Sequence, residues 1–233
     1  MELTEVMRTT PAAREFTDRP VPDGVVERVL DSARFAPSGG NRQPWRVIIV
    51  KDPALRRAVR DNYVLGWRDY AAHVAEGLVP FAPDSLGRWE GPAVDLAAAR
   101  ETDRPDPFAD SLDTVPVMML LCADLTALAV TDNGLGRQSI VGGASVYPFG
   151  HNVLLAARDA GLGGVMTTII CRQERPLKEL LGIPERYALA GMIVLGHPRR
   201  SITRLRRRAV HEIATVDRFD GDAFAAVKDV EPT

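Results

Sequence analysis

Ten residues, Ala36-Pro37-Ser38-Gly39-Gly40-Asn41-Arg42-Gln43-Pro44-Trp45, join a helix-like stretch to a strand-like one. Their backbone is tightly constrained. Two prolines fix φ, and two glycines permit close approach and left-handed conformations. Ser38, Asn41 and Gln43 add short polar heads, and each amide both donates and accepts. Such groups can read the edge of a planar heterocycle. A junction loop of this kind is a common place for ligand binding. A capped turn that merely starts a strand remains the alternative at this point.

Periodicity places elements around this junction. Thr4 to Met7 reads as a short helix leading into an Arg8–Arg14 loop. Asp23 is placed as the N-cap of a helix with Val25, Val26, Val29, Leu30, Ala33 and Phe35 on one face, ended by Pro37. Residues 45–50 read as a buried strand, and Asp52-Pro53 opens another helix. Val115 to Cys122, Val165 to Ile170 and Leu189 to Leu195 are further strands. Ser139 to Ala160 reads as one long helix kinked at Pro148 and stopped by Gly161-Leu162-Gly163-Gly164. His151 on it reads as a core or interface histidine. Residues 80–114, dense in Pro, Asp, Gly and Arg, read as a lid or a structureless insert. Trp67, Tyr70, Trp89 and Phe108 are candidates for a roof over a ligand, or for helix packing.

Alternating helices and strands without a strand–glycine-loop–helix unit argue against a dinucleotide fold, since Gly134-x-Gly136-x-x-Ser139 lacks the third glycine and the preceding strand. An α+β sandwich with a central sheet fits instead. The 233 residues show no linker or composition break, so one domain is expected over 1–233, with a lid at about 80–114 and a C-terminal extension from about 199. A net charge of −2 argues against general attraction to nucleic acid. Cys122 and Cys171 lie outside metal-ligand spacing, and a buried free thiol is expected at Cys122. No metal is expected, because His73, His151, His197 and His211 form no ligand set. Ser38 and Ser145 lack the frame of a nucleophile elbow. Asp103, Asp106 and Asp110 read as solvation. With no signal-like start and no apolar span near twenty residues, a cytoplasmic protein is expected, away from membranes.

The chain resembles the FMN-dependent nitroreductase family over about residues 5–208. Pro37-Ser38-x-x-Asn41-x-Gln43-Pro44-Trp45 resembles the family's signature loop. Arg8-Thr9-Thr10-Pro11-Ala12-Ala13-Arg14-Glu15-Phe16 resembles its phosphate-binding segment, although Thr10-Pro11-Ala12 stands where the family has Arg-Arg-Ser. Asn152 to Gly163 resembles its central helix and Gly-Leu-Gly stop. Glu179 to Pro184 and Val194 to Pro198 match its closing helix and strand.

The resemblance implies a three-layer α/β/α sandwich with a mostly antiparallel sheet. It also implies an intertwined homodimer with FMN at the subunit interface. It places the phosphate on Arg8, Thr9, Thr10 and Arg14, and on the basic strip Arg199–Arg208, best on Arg206 and Arg208. That strip holds six arginines in ten positions, and a solvated strip or a nucleic-acid contact is its other reading. Backbone atoms of Met166, Thr167 and Thr168 are expected beside the flavin ring. Asn41 and Gln43 are expected on its pyrimidine or ribityl side. Pro37, Ser38 and Gly39 are expected to reach it from the partner. Thr168 stands where some members have an acidic residue.

The implied activity is hydride transfer from NADH or NADPH through FMN to a small planar acceptor such as a nitroaromatic or quinone, by a ping-pong route. No protein side chain need act as acid or base. Alternatives are a flavin-sequestering protein without turnover, or a family variant acting on flavin, halogenated or enone substrates.

Overall fold

The computed structural model describes residues 1–200 and 204–225. Its frame is an antiparallel sheet of four strands, β1 (Trp45–Ile49), β2 (Val117–Asp124), β3 (Gly163–Thr167) and β4 (Tyr187–Gly196), in the order β1-β2-β4-β3. The two central strands are apolar almost throughout because both of their faces are covered. Met118, Leu120 and Cys122 of β2 face one cluster; Val117, Met119, Leu121 and Ala123 face the other.

On the first face lie α3 (Pro53–Ala75), α5 (Pro107–Asp110) and α7 (Glu174–Leu181), contributing Tyr63, Phe108 and Leu177. On the second lie α2 (Asp23–Ala33) and α6 (Tyr147–Asp159), contributing Val29, Phe149 and Val153. Helices α1 (Leu3–Thr9) and α4 (Leu96–Glu101) complete the set. The architecture is therefore α+β, with helices on both sides of an antiparallel sheet.

One irregularity sets which side chains reach which face. The pairing shifts between Leu121, opposite Gly191, and Cys122, opposite Leu189. Ala190 is the extra residue of a β-bulge, and the Tyr147 hydroxyl donates to its carbonyl at 3.3 Å. A bulge flips the alternation. It lets Leu189 and Met192 both join the first cluster while Ala190 and Ile193 join the second.

Several sequence expectations are corrected. The helix expected from Ser139 begins only at Tyr147. A 3-10 turn, Val141–Ser145, precedes it, because the Asp132 carboxylate takes the Ile140 N–H at 2.8 Å and Gly142-Gly143 favour helix poorly. Pro148 sits in the first turn, where a missing N–H costs nothing, so no kink results. His151 is exposed on the protomer rather than in a core. Asp23 is the first helical residue rather than the cap, and its carboxylate pairs with Lys51. Phe35 lies beyond that helix and is 73% exposed. Helix α1 continues through Arg8 and Thr9, so the loop starts later than expected. Strand β1 is an edge strand and only half-buried, and β3 ends at Thr167 rather than Ile170.

The insert is more ordered than its composition suggests. Asp95 and Asp106 cap α4 and α5, the latter accepting from Phe108 N at 3.1 Å and Ala109 N at 2.8 Å. Asp106 thus has a structural task beyond solvation, and Asp110 accepts its N–H in return. Phe108, Ala109 and Leu112 are core residues. Trp67 stacks on Tyr70 at 5.5 Å and donates its indole N–H to the Arg104 carbonyl, so packing is their role. The Arg172 guanidinium lies against both Phe81 and Trp89, holding the first half of the insert to the body.

Leu112 has no exposed surface. Leu112→Ala is expected to cost about 3 kcal/mol of unfolding free energy, measured by urea denaturation. A loss under about 1 kcal/mol would place this segment outside the core.

Candidate functional site

The signature loop is where the chain departs most from ordinary backbone. Gly40, Asn41 and Gln43 have φ of 60°, 55° and 48°. Left-handed conformation costs a non-glycine residue about 1–2 kcal/mol. Asn41, Arg42 and Gln43 are nevertheless exposed, so core packing does not explain it. Exposed strain of this kind marks ligand loops more often than scaffolding. Internal bonds hold the shape: Ser38 Oγ accepts from Gln43 N at 3.0 Å, and the Gln43 amide N–H₂ lies 3.3 Å from both Asn41 oxygens. Gly39 N donates to Ser145 Oγ at 3.0 Å. Pro37 is exposed at the loop's entry.

The expected phosphate segment runs along the opposite edge. Ala12 bridges to Gly164, Ala13 N donates to the Gly164 carbonyl at 2.9 Å, and Arg199 N donates to the Glu15 carbonyl at 3.0 Å. Gly164 must be glycine, since a Cβ there would lie 2.6 Å from the Val194 carbonyl oxygen. Arg8 and Arg14 are exposed, and among the described residues neither side chain makes an ion pair or hydrogen bond. The Thr9 hydroxyl donates to the Glu5 carbonyl at 2.8 Å and accepts from Arg158 Nε at 3.2 Å. The Thr10 hydroxyl donates to the Val6 carbonyl at 2.6 Å. Both protons are therefore committed to α1. Arg158, to which sequence assigns no phosphate role, and Arg200 of the basic strip line a narrow cleft with Thr10, Ala13 and Gly163.

Arg14 lies near Tyr63, which in turn meets the end of β3. Tyr63 of α3 lies 3.2 Å, hydroxyl to hydroxyl, from Thr167 at the end of β3. Burial pushes the Tyr63 hydroxyl above its ordinary pKa, opposed by the Thr167 contact and by the nearby Arg14 charge. Met166 and Thr167 are half-buried and Thr168 is exposed. Gly66 lets α3 approach the following residues, for a Cβ there would lie 2.9 Å from the Ile169 carbonyl oxygen. Nothing in sequence spacing distinguishes Tyr63 from an ordinary core tyrosine.

Two groups of expected residues are not brought together. The loop enters β1 at Trp45, opposite Ala123 and through it Ala188; the Ala13 segment joins β3 at Gly164, opposite Leu195. They occupy diagonal corners of the sheet, roughly 25 Å apart by strand spacing and rise. Arg206 and Arg208 are exposed on a C-terminal arm. Among the described residues no hydrogen bond or ion pair ties 204–225 to the body; residues 201–203 of the basic strip lie outside the described residues. Val210, Ile213 and Phe219 of this arm are exposed.

An antiparallel sheet covered by helices on both faces, with a strained amide loop at one corner and a free arginine at the other, defines a nitroreductase-type fold. The model of the nitroreductase family matches residues 7–197, and the chain belongs to that family. It is 29% identical to an NADH dehydrogenase of Thermus thermophilus over 188 residues, 79% of this chain and 81% of that one. It is 28% identical to iodotyrosine deiodinase 1 of Rattus norvegicus over 214 residues, 91% of this chain and 68% of the relative. The NADPH:FMN oxidoreductase of Vibrio harveyi, solved with NAD+, superposes with a TM-score of 0.64 at 18% identity, covering 93% of this chain and 77% of that one.

Neither cysteine is placed as a nucleophile. Burial pushes the Cys122 thiol up to about 11 and the Cys171 thiol up to about 12, with the Glu174 charge adding to both. Thiolate-selective labelling at pH 8 is expected to be slow in the folded protein and fast after denaturation. Raised folded values mean that this stabilisation is complete below about pH 8.5. It is lost as pH rises further, because only the unfolded thiols then ionise. Rapid labelling of the native chain at pH 8 would contradict the placement.

Proposed function

We propose that this chain is an FMN-dependent oxidoreductase that uses NADH or NADPH to reduce a small planar acceptor such as a nitroaromatic or quinone, working as a homodimer with FMN at the subunit interface. The observation that carries the reading is the diagonal separation. The signature loop and the Arg14 segment both have cofactor-binding chemistry, yet roughly 25 Å separates them on one protomer. A second copy brings the loop of one chain to the Arg14 segment of the other. The groove between α1, α2 and α6, lined by Leu3, Val6, Val29 and Leu155, supplies an apolar face for that pairing. Its rim residue Leu3 is 69% exposed on the single chain.

The donor set fits FMN. Arg14, whose guanidinium makes no ion pair or hydrogen bond among the described residues, lies near Tyr63 and is suited to the FMN phosphate. Backbone groups of Met166, Thr167 and Thr168 line the ring edge. From the partner, Pro37, Ser38, Gly39, Asn41 and Gln43 meet the ring and ribityl side. The phosphate falls to Arg8 and Arg14 together with Arg206 and Arg208 of the arm. Thr9 and Thr10 contribute helix-end shape beside the phosphate, since their protons are already given to α1 carbonyls.

Bound FMN supplies the two-electron chemistry between the nicotinamide and the acceptor. The chain's residues bind, orient and exclude water, and no side chain is assigned as acid or base. The insert around Trp89 stands as the lid whose shape selects the acceptor.

The test is a visible spectrum after FMN is added and excess removed, followed by anaerobic titration with NADH and NADPH. Retained absorbance that bleaches with either nucleotide is expected. Retention without bleaching would favour a sequestering protein, and no retention would overturn the assignment. Arg14→Ala is expected to weaken FMN binding about tenfold or more, corresponding to at least about 1.4 kcal/mol, by fluorescence titration.

A further inference from the structure

The signature loop is strained and exposed, so something outside it must fix its position. Its internal bonds fold Ser38, Asn41 and Gln43 onto one another but attach them to nothing. On the exit side, the Pro44 carbonyl accepts from Asp124 N at 2.7 Å. On the entry side, Ala36 N donates to the Ala33 carbonyl at 3.0 Å, and further into the loop the Gly39 N–H donates to Ser145 Oγ at 3.0 Å, across 106 residues of chain.

Ser145 is only 6% exposed. It closes the 3-10 turn that precedes α6. Gly39 is pressed against the same site: a Cβ there would lie 3.1 Å from Ala129 Cβ and 3.6 Å from Ser145 Oγ. The turn is fixed at its other end by Asp132. That buried carboxylate accepts from Ile140 N at 2.8 Å, Ser139 Oγ at 2.7 Å and Arg137 at 2.8 Å. A satisfied buried network of this kind rigidifies what it holds. Asp132 fixes the start of the turn, α6 continues from its end, and Ser145 at that end meets Gly39 of the loop.

We infer that Ser145 is a positioning residue for the cofactor loop: its hydroxyl accepts the Gly39 N–H and so holds Asn41 and Gln43 in the left-handed conformation that presents their amides. This rests on the reading that the loop binds FMN. Ser145 itself touches no cofactor and performs no chemistry. An isolated serine without an elbow motif is thus explained by what it accepts rather than by what it attacks.

The test compares Ser145→Ala with Val146→Ala, a change at a buried neighbour that makes no bond to the loop. Two quantities are read below the melting transition: the FMN dissociation constant, and amide hydrogen exchange over residues 37–44 in the flavin-free protein. Ser145→Ala is expected to raise the dissociation constant about tenfold and to speed exchange at Gly39 at least about tenfold, each equal to about 1.4 kcal/mol. Val146→Ala is expected to lower the melting temperature while leaving both quantities within about twofold. Ser145→Cys, which nearly keeps the side chain's shape but accepts a hydrogen bond only weakly, is expected to repeat the Ser145→Ala signature and replaces it should that variant not fold.

Unchanged Gly39 exchange in Ser145→Ala would overturn the inference, as would equal effects from Val146→Ala. Failure of the parent protein to bind FMN would overturn the cofactor reading instead. Exchange at Gly39 would still report whether Ser145 holds the loop.

Discussion

Burial of β2 and β4 on both faces is the constraint on which the rest of this structure depends. Two strands without a solvent side cannot slip by one residue without moving a whole apolar set to the wrong layer. The bulge at Ala190 pins that register at one place, and the Tyr147 hydroxyl ties the start of α6 to it. From there the positions of other elements follow. Helix α6 carries the turn that meets Gly39, and β4 carries Leu195 against Gly164, where the Ala13 segment attaches. The two halves of the proposed site are set by opposite corners of one rigid frame.

Much of that frame is legible in the sequence, for a physical reason. Val117 to Cys122 and Leu189 to Leu195 are unbroken apolar runs, and such runs have few options besides a doubly covered strand. Asp52-Pro53 marks a helix start because the carboxylate captures the first free N–H groups, as it does here from Ala54 and Leu55. The start of α6 was not legible, because Asp132 captures the backbone at Ile140 and Val141 from a loop that pattern alone does not place. The insert concealed core residues for a related reason. Phe108 and Leu112 are spaced too sparsely among Pro and Asp to show a period, yet the Asp106 cap starts α5, which buries Phe108, and a 3-10 turn after it buries Leu112.

The site divides in the same way. The loop at 37–43 was legible because its residues are chemically unusual and adjacent. Tyr63 and Ser145 were not, since each acquires its role through a contact more than a hundred residues away, with Thr167 and Gly39 respectively. The departure from the family pattern at Thr10-Pro11-Ala12 gains a structural meaning. Hydroxyls near a helix end bond back to its carbonyls, so threonines there do not substitute for a serine that must donate. The positive charge around that cleft comes instead from Arg158 and Arg200, on elements distant in sequence.

The diagonal placement of the two halves also has a consequence for inheritance. In the proposed pair, each site takes Arg14 from one chain and Asn41 from the other. A chain damaged at one corner, paired with a chain damaged at the other, makes one site with both groups intact and one with neither. Two different defective alleles in the same cell would then restore part of the activity that each lacks alone. Two alleles damaged at the same corner would restore none.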